Sequence, residues 1–220
     1  MNELTFKDST STCHKIVTDA KGKKYLMDTS TVSPNTYTFG FLPKEVVVEM
    51  VEIDAHNRSL EQKVKTSPKY VAVAALGQVI STVLFRYFQQ LFLKYHIHQQ
   101  VLLKCLLFLF SFFVAYLLAK LYIQVMKNKV KDRLPSNSKR YIARFKTGNK
   151  RHFANWSLLV INLIIFIFFM NLNNGTEGML LVLNSMVAHL FFVTWLGMEP
   201  IDFDYEKKIL ILKQIEEVKS

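Results

Sequence analysis

Long apolar stretches alternate with densely charged ones along this chain. Four stretches, at 70–93, 100–123, 153–172 and 178–198, carry very few charges. Each matches the ~20 residues needed to cross a bilayer core. Runs such as 165–170 (IFIFFM) and 106–114 would drive aggregation if they faced water. The pattern predicts a mainly α membrane protein with four transmembrane helices. The links at 96–100 and 171–178 are short, so the helices pair as two antiparallel hairpins forming a domain over 70–198.

The first 69 residues follow another pattern. Residues 14–17 and 24–27 are short runs with β-tendency, and Asp19-Ala20-Lys21-Gly22 between them supplies turn chemistry. Gly22 is free to take a positive φ there. Ser33-Pro34-Asn35-Thr36 is a second turn signal. Residues 45–53 (EVVVEMVEI) read as a strand, with helix as the competitor. These features predict a small cytoplasmic N-terminal α/β or β cap over 1–69. The tail at 199–220 opens with Asp202 and Asp204, and its run at 208–215 reads as a strand or short helix that packs on the cap. Residues 1–28 lack the apolar core of a signal peptide, so the first span is expected to act as an uncleaved anchor.

Charge sets the orientation. The net charge is +11, and most of the excess lies in one segment, 124–152. It holds Lys127, Lys129, Lys131, Arg133, Lys139, Arg140, Arg144, Lys146, Lys150 and Arg151 against a single acid, Asp132. Loops rich in Lys and Arg stay cytoplasmic. The segment therefore reads as a cytoplasmic, topology-determining loop, with both termini on the same side and the protein in the cell membrane. Such cations also gain roughly 1 kcal/mol each near anionic lipid. Tyr141 and Phe145 interleave with them, a pairing that a membrane surface explains without nucleic acid.

Polar groups inside the apolar stretches are the candidate sites. Gly77 and Ser81 form a small-xxx-small pair on the first span, a face for close helix packing or a partner. Gln78, Asn162 and His189 lie at similar depths and form a candidate polar layer, as packing glue or as a transport site. Arg86 and Lys104 are costly at membrane depth, and snorkelling to the outer headgroups is one account of them. The sharper alternative is an outward cationic patch of Arg86, Lys94 and Lys104, with Glu177 as partner, that meets an external protein.

The chain shows no glycine-rich phosphate loop, no nucleophile elbow and no clustered metal-ligand motif. No enzymatic activity, cofactor or metal is expected. Cys13 and Cys105 are the only cysteines; one precedes the expected spans and the other lies inside one, which argues against a disulfide framework.

Three segments carry a resemblance: Lys23-Lys24-Tyr25-Leu26-Met27-Asp28, then Phe41-Leu42-Pro43-Lys44, then a Gly/Ser-containing helix ending Phe85-Arg86-Tyr87-Phe88. Together they resemble the bacterial tandem five-transmembrane proteins (domain of unknown function 443). Some members of that family are immunity proteins against a secreted toxin of the type VII pathway. The resemblance implies a protective role against a membrane-active toxin, with lipid and the toxin or another membrane protein as partners and self-association as an option. It transfers no catalytic residues. The chain departs from the family's five-span name, because 32–41 is too polar to be a further span. Two other functions fit the residues: a small channel or transporter subunit using the polar layer, and a membrane-anchored sensor or scaffold using the N-terminal cap.

Overall fold

A computed structural model describes residues 4–34, 43–54, 60, 83, 85–134, 138–148 and 154–218. Six strands build one sheet: β1 (Thr5–Asp8), β2 (His14–Thr18), β3 (Lys24–Ser33), β4 (Glu45–Ile53), β5 (Arg140–Thr147) and β6 (Leu210–Glu217). They lie side by side in chain order, and every neighbouring pair is antiparallel. The helices are α1 (Val101–Lys131), α2 (Ala154–Asn171), α3 (Glu177–Gly197) and the short α4 (Ile201–Glu206). Residues 85–94 are also helical, followed by a 3-10 turn at Ile97–Gln99.

The β2–β3 hairpin forms as its residues demand. Asp19 Oδ1 accepts hydrogen bonds from the backbone N–H of Lys21 and Lys23, both at 2.9 Å. Gly22 takes φ 78°, which its missing Cβ permits. The ladder then pairs Thr18 with Lys24 and, four residues on, His14 with Asp28. In β4, Val46, Val48 and Met50 point to one buried face, so the strand reading of this segment holds.

The expected mainly α, four-span fold is corrected. Among the described residues only α1 and α3 are long and apolar enough to cross a membrane, and the apolar part of α2, Trp156–Asn171, is shorter. Helices do form in the expected stretches 100–123, 153–172 and 178–198, but the first runs on to Lys131, eight residues past its expected end. Most of the expected span at 70–93 lies outside the described residues, as do Gly77, Gln78 and Ser81. The larger difference is the sheet, which is assembled from three segments of the chain. The stretch at 124–152, expected as a cytoplasmic loop, contains the end of α1 and an inner strand. In β5 the exposed or half-buried Arg140, Arg144 and Lys146 alternate with the buried Tyr141, Ala143 and Phe145. That is the period of a strand with one buried face. The tail supplies β6, which pairs with β5.

The chain divides into a sheet unit (Met1–Lys63, Lys120–Trp156, Val193–Ser220) and a helical unit (Val64–Ala119, Ser157–Phe192). In the sheet unit, one face of the sheet packs Val17, Met27, Val48, Met50 and Phe145 against Ile201 and Leu210. The opposite face packs Ile16, Leu26 and Ile53 against Val130 near the end of α1, with Leu134 alongside. The helical unit has its own core of Phe92, Ile97, Phe108, Ile165 and Phe169. Its rings meet edge-on or tilted, with Phe108 and Phe166 centroids 4.8 Å apart and Phe108 and Phe169 5.7 Å apart.

Asp204 in α4 is buried beneath the sheet, 2% exposed, and its Oδ1 accepts no hydrogen bond among the described residues. Burial, reinforced by the charge of Asp202, raises its pKa from the usual 3.8 to about 7. Asp202 itself is held by Lys15 at 2.6 Å. The folded chain thus binds a proton at Asp204 more tightly than the unfolded chain does. The contribution of this one group is most favourable below about pH 4, is lost as pH rises, and becomes the full penalty above about pH 7. The penalty is at most about 4 kcal/mol. Asp204→Asn should melt higher than the parent at pH 8 and equally at pH 4, read by thermal denaturation at both values. Equal melting at pH 8 would show that Asp204 is solvated or paired.

Candidate functional site

Two polar constellations stand out, one in each unit. In the helical unit, Lys104 is 1% exposed and Glu177 fully buried, with Lys104 Nζ 3.8 Å from Glu177 Oε1. The ammonium donates to the carbonyl oxygen of Leu172 at 2.7 Å and of Met170 at 3.4 Å, and lies 5.3 Å from the centre of the Phe169 ring. Those carbonyls belong to the C-terminal end of α2, which favours a cation. Glu177 opens α3, where a helix N-terminus favours an anion. Each charge therefore sits at the helix end that suits its sign. Neither carboxylate oxygen of Glu177 accepts a hydrogen bond among the described residues.

This geometry redraws the expected outward patch. Lys104 does not snorkel and is not presented to a partner. Its ammonium closes the end of α2 and faces the acid named as its partner. Arg86 and Lys94 are exposed, and Lys94 Nζ stands 5.5 Å from the Tyr95 ring.

Gln78 of the expected polar layer is outside the described residues. Asn162 is buried, and its Nδ2 donates to Leu158 O on its own helix at 2.8 Å. His189 on α3 is half-buried. A polar link between helices lies elsewhere: Asn184 Nδ2 donates to Ser111 Oγ at 2.7 Å, and Ser111 Oγ donates to Phe108 O at 2.7 Å. This joins α3 to α1 inside an apolar unit, where such bonds act as glue. Asn184 was as visible in the sequence as Asn162, one amide inside a long apolar run. Its partner was not, because pairing across helices depends on their rotation.

The second constellation is in the sheet unit. His14 is buried on β2, with Ser11 Oγ 3.0 Å from its Nδ1 and Asp28 Oδ2 3.9 Å from its Nε2. Burial lowers its pKa, Asp28 opposes that shift, and Lys127 adds to it. The hairpin itself announces this pair, since a turn centred on Lys21 places residue 14 opposite residue 28. Asp28 Oδ1 is engaged locally by the N–H of Ser30 at 2.9 Å. Cys13 beside His14 is buried and a free thiol, pushed up to about 11 mainly by burial.

His14 and Asp28 form part of the wall of a cavity of about 480 Å³. Its apolar lining includes Leu26, Val51, Val130 and Ile142, and its cations are Lys127, Lys131 and Arg140. A neighbouring hollow of about 430 Å³ lies along the hydroxyl-rich turn Ser9–Thr12 and Asp202.

The basic residues expected to set topology have several structural roles. Lys127, Lys129 and Lys131 stand on the last turns of α1, where cations offset the helix dipole. Arg133 Nη1 donates to Thr10 Oγ1 at 3.5 Å. Lys139 pairs with Glu217 and Arg144 with Glu216, each at 3.1 Å, joining β5 to β6. Exposed pairs of this kind contribute about 0–1 kcal/mol. Arg140 and Lys146 are exposed on β5, and Lys150 and Arg151 lie outside the described residues.

Among the described residues no group of three His, Cys, Asp or Glu side chains is placed to hold a metal ion. The arrangement can bind and orient, by charge and by apolar contact. Comparison of the chain with known protein families, characterised proteins and solved structures finds no match to any of the three.

Proposed function

We propose that this is a membrane protein that acts by binding rather than by catalysis. The observation that carries this reading is the exposure of bulky apolar side chains along α1 and α3. Leu102 is 76% exposed, Leu109 65% and Phe110 61% on α1, and Met186 is 62% exposed on α3. A core helix of a water-soluble fold would cover such residues. Here only 22% of the most apolar window of α1 and 17% of that of α3 are buried. Lipid is the solvent that removes this cost. At 1.5 Å per residue, α3 is about 31 Å long, close to the thickness of a hydrocarbon core.

The sheet supports an orientation. β1–β4, β5 and β6 share one hydrogen-bonded ladder, so the segments that bear them occupy one compartment. The cations on β5 and at the end of α1 favour the cytoplasm as that compartment. The resemblance to the tandem five-transmembrane proteins supplies the partner: a secreted, membrane-active toxin, against which this protein shields its own cell.

Two measurements test the proposal. The full chain should remain in the membrane pellet after alkaline carbonate washing and be released by detergent. Release by carbonate alone would refute the membrane reading. Cells that express the protein should keep their membrane potential when a secreted, membrane-depolarising toxin of the type VII pathway is produced in them. Collapse of the potential at normal protein level would refute the protective role and leave the membrane reading standing.

A further inference from the structure

The cavity in the sheet unit combines features that neither the fold nor the proposed function requires. Its floor is apolar, from Leu26 on β3, Val51 on β4 and Ile142 on β5. Its volume of about 480 Å³ falls within the ~300–1,000 Å³ typical of small-molecule sites.

Its charges are unevenly used. Asp28 and Glu49 stand directly opposite one another across β3 and β4, beside His14. Like charges placed so repel, and Lys127, whose charge is felt at His14, offsets them. One helical turn further along α1 comes Lys131. Arg140 opens β5 opposite Val51, two residues beyond Glu49. Neither Lys131 nor Arg140 has an ion-pair partner among the described residues. The position of Lys131 is explained in part by the helix dipole. Arg140 has no such explanation, since it sits on a strand.

We infer that this cavity binds an anionic amphiphile, with its phosphate or carboxylate head held by Arg140 and Lys131 and its alkyl chain against Leu26, Val51 and Ile142. The planar guanidinium of Arg140 can grip two oxygens of the head at once, and Lys131 adds a point charge. The carboxylates of Asp28 and Glu49 repel the head, which fixes the end at which it binds. A free phosphate would use only the cations, and a neutral lipid only the floor. The site is built for both parts in one molecule. That molecule comes either from the membrane, as an anionic lipid, or from solution, as a fatty-acid or alkyl-phosphate anion.

The test uses the full chain in nanodiscs of phosphatidylcholine, titrated with octyl phosphate, inorganic phosphate or octanol and followed by calorimetry. Octyl phosphate should saturate a single site, with inorganic phosphate and octanol at least about tenfold weaker. Arg140→Gln and Lys131→Ala should each weaken octyl phosphate by about tenfold, the loss of one charge-assisted bond. Ile142→Trp fills the floor and should abolish binding with both cations in place. All three variants should melt as the parent does. Phosphatidylglycerol built into the discs then identifies the source. Competition with octyl phosphate assigns the site to a membrane lipid, its absence assigns it to a soluble amphiphile, and both outcomes uphold the cavity. Octyl phosphate uptake that all three variants leave unchanged, or inorganic phosphate binding as tightly as octyl phosphate, would overturn the proposal.

Discussion

Lys104→Met is expected to destabilise the helical unit by about 3–5 kcal/mol, the cost of leaving one member of a buried ion pair alone. The substitution keeps an unbranched apolar stem of similar length, so packing against Phe169 is largely retained. Two things are lost: the cation facing Glu177, and the donor to Leu172 O and Met170 O at the end of α2. Glu177 is already fully buried, with neither oxygen hydrogen-bonded among the described residues. Without Lys104 no cation faces it. Lys104→Met combined with Glu177→Gln should recover most of the loss, because no uncompensated charge remains. Thermal melting of the four proteins in one detergent closes the cycle. If the two single losses simply add, the residues are not coupled, and the pair at the helix ends is incidental.

Phe145→Ala should cost a similar 3–5 kcal/mol, here in the sheet unit. Phe145 is fully buried on β5, opposite Val46 on β4 and Leu212 on β6, with Ile201 and Leu210 in the same core cluster. Its ring lies 6.3 Å from that of Tyr205, edge-on. Truncation leaves a hole that the flanking strands cannot both close. Among the described strands β6 pairs with β5 alone, so it should loosen first. Hydrogen exchange over 210–217 should rise well before exchange over 14–18. The control is the adjacent Lys146→Ala, an exposed position on the same strand, expected within about 0.5 kcal/mol of the parent. If the two variants proved equal, the segment would be a charged loop after all, and the six-stranded sheet would be wrong.

That contrast shows what the sequence made legible. The helices at 100–123, 153–172 and 178–198 were visible because apolar runs of that length have few other uses. The β2–β3 hairpin was visible because Asp19 and Gly22 fix a turn locally. β5 was missed because its cations gave a louder signal than its alternation. Arg140, Arg144 and Lys146 read as the charges of a cytoplasmic loop and, equally, as one face of a strand whose other face is Tyr141, Ala143 and Phe145. The two readings coexist, and counting charges alone could not reveal the second. β6 reads equally as strand or helix from its own residues, because the strand it pairs with is obscured by its cations. The sequence offers Glu177 as a partner for the whole patch of Arg86, Lys94 and Lys104, and the structure sets it against Lys104 alone of the three among the described residues. The burial of this pair followed from the carbonyls at the end of α2, which no sequence pattern displays. The cavity required all of these placements at once, since its walls come from β2, β3, β4, β5 and α1.

The strand order has a consequence for how the protein is made. β4 ends at residue 53, but its neighbour β5 begins only at 140, and β6 only at 210. The nascent chain must hold a partial sheet with an open margin while both helical excursions emerge from the ribosome. Pairings so distant along the chain close slowly. A product that stops short of residue 210 would leave β5 as a bare margin, with no Leu212 beside Phe145, and such margins recruit other chains. Completion of the sheet thus waits on residues 210–217, and a copy terminated before them is a natural target for quality-control proteases.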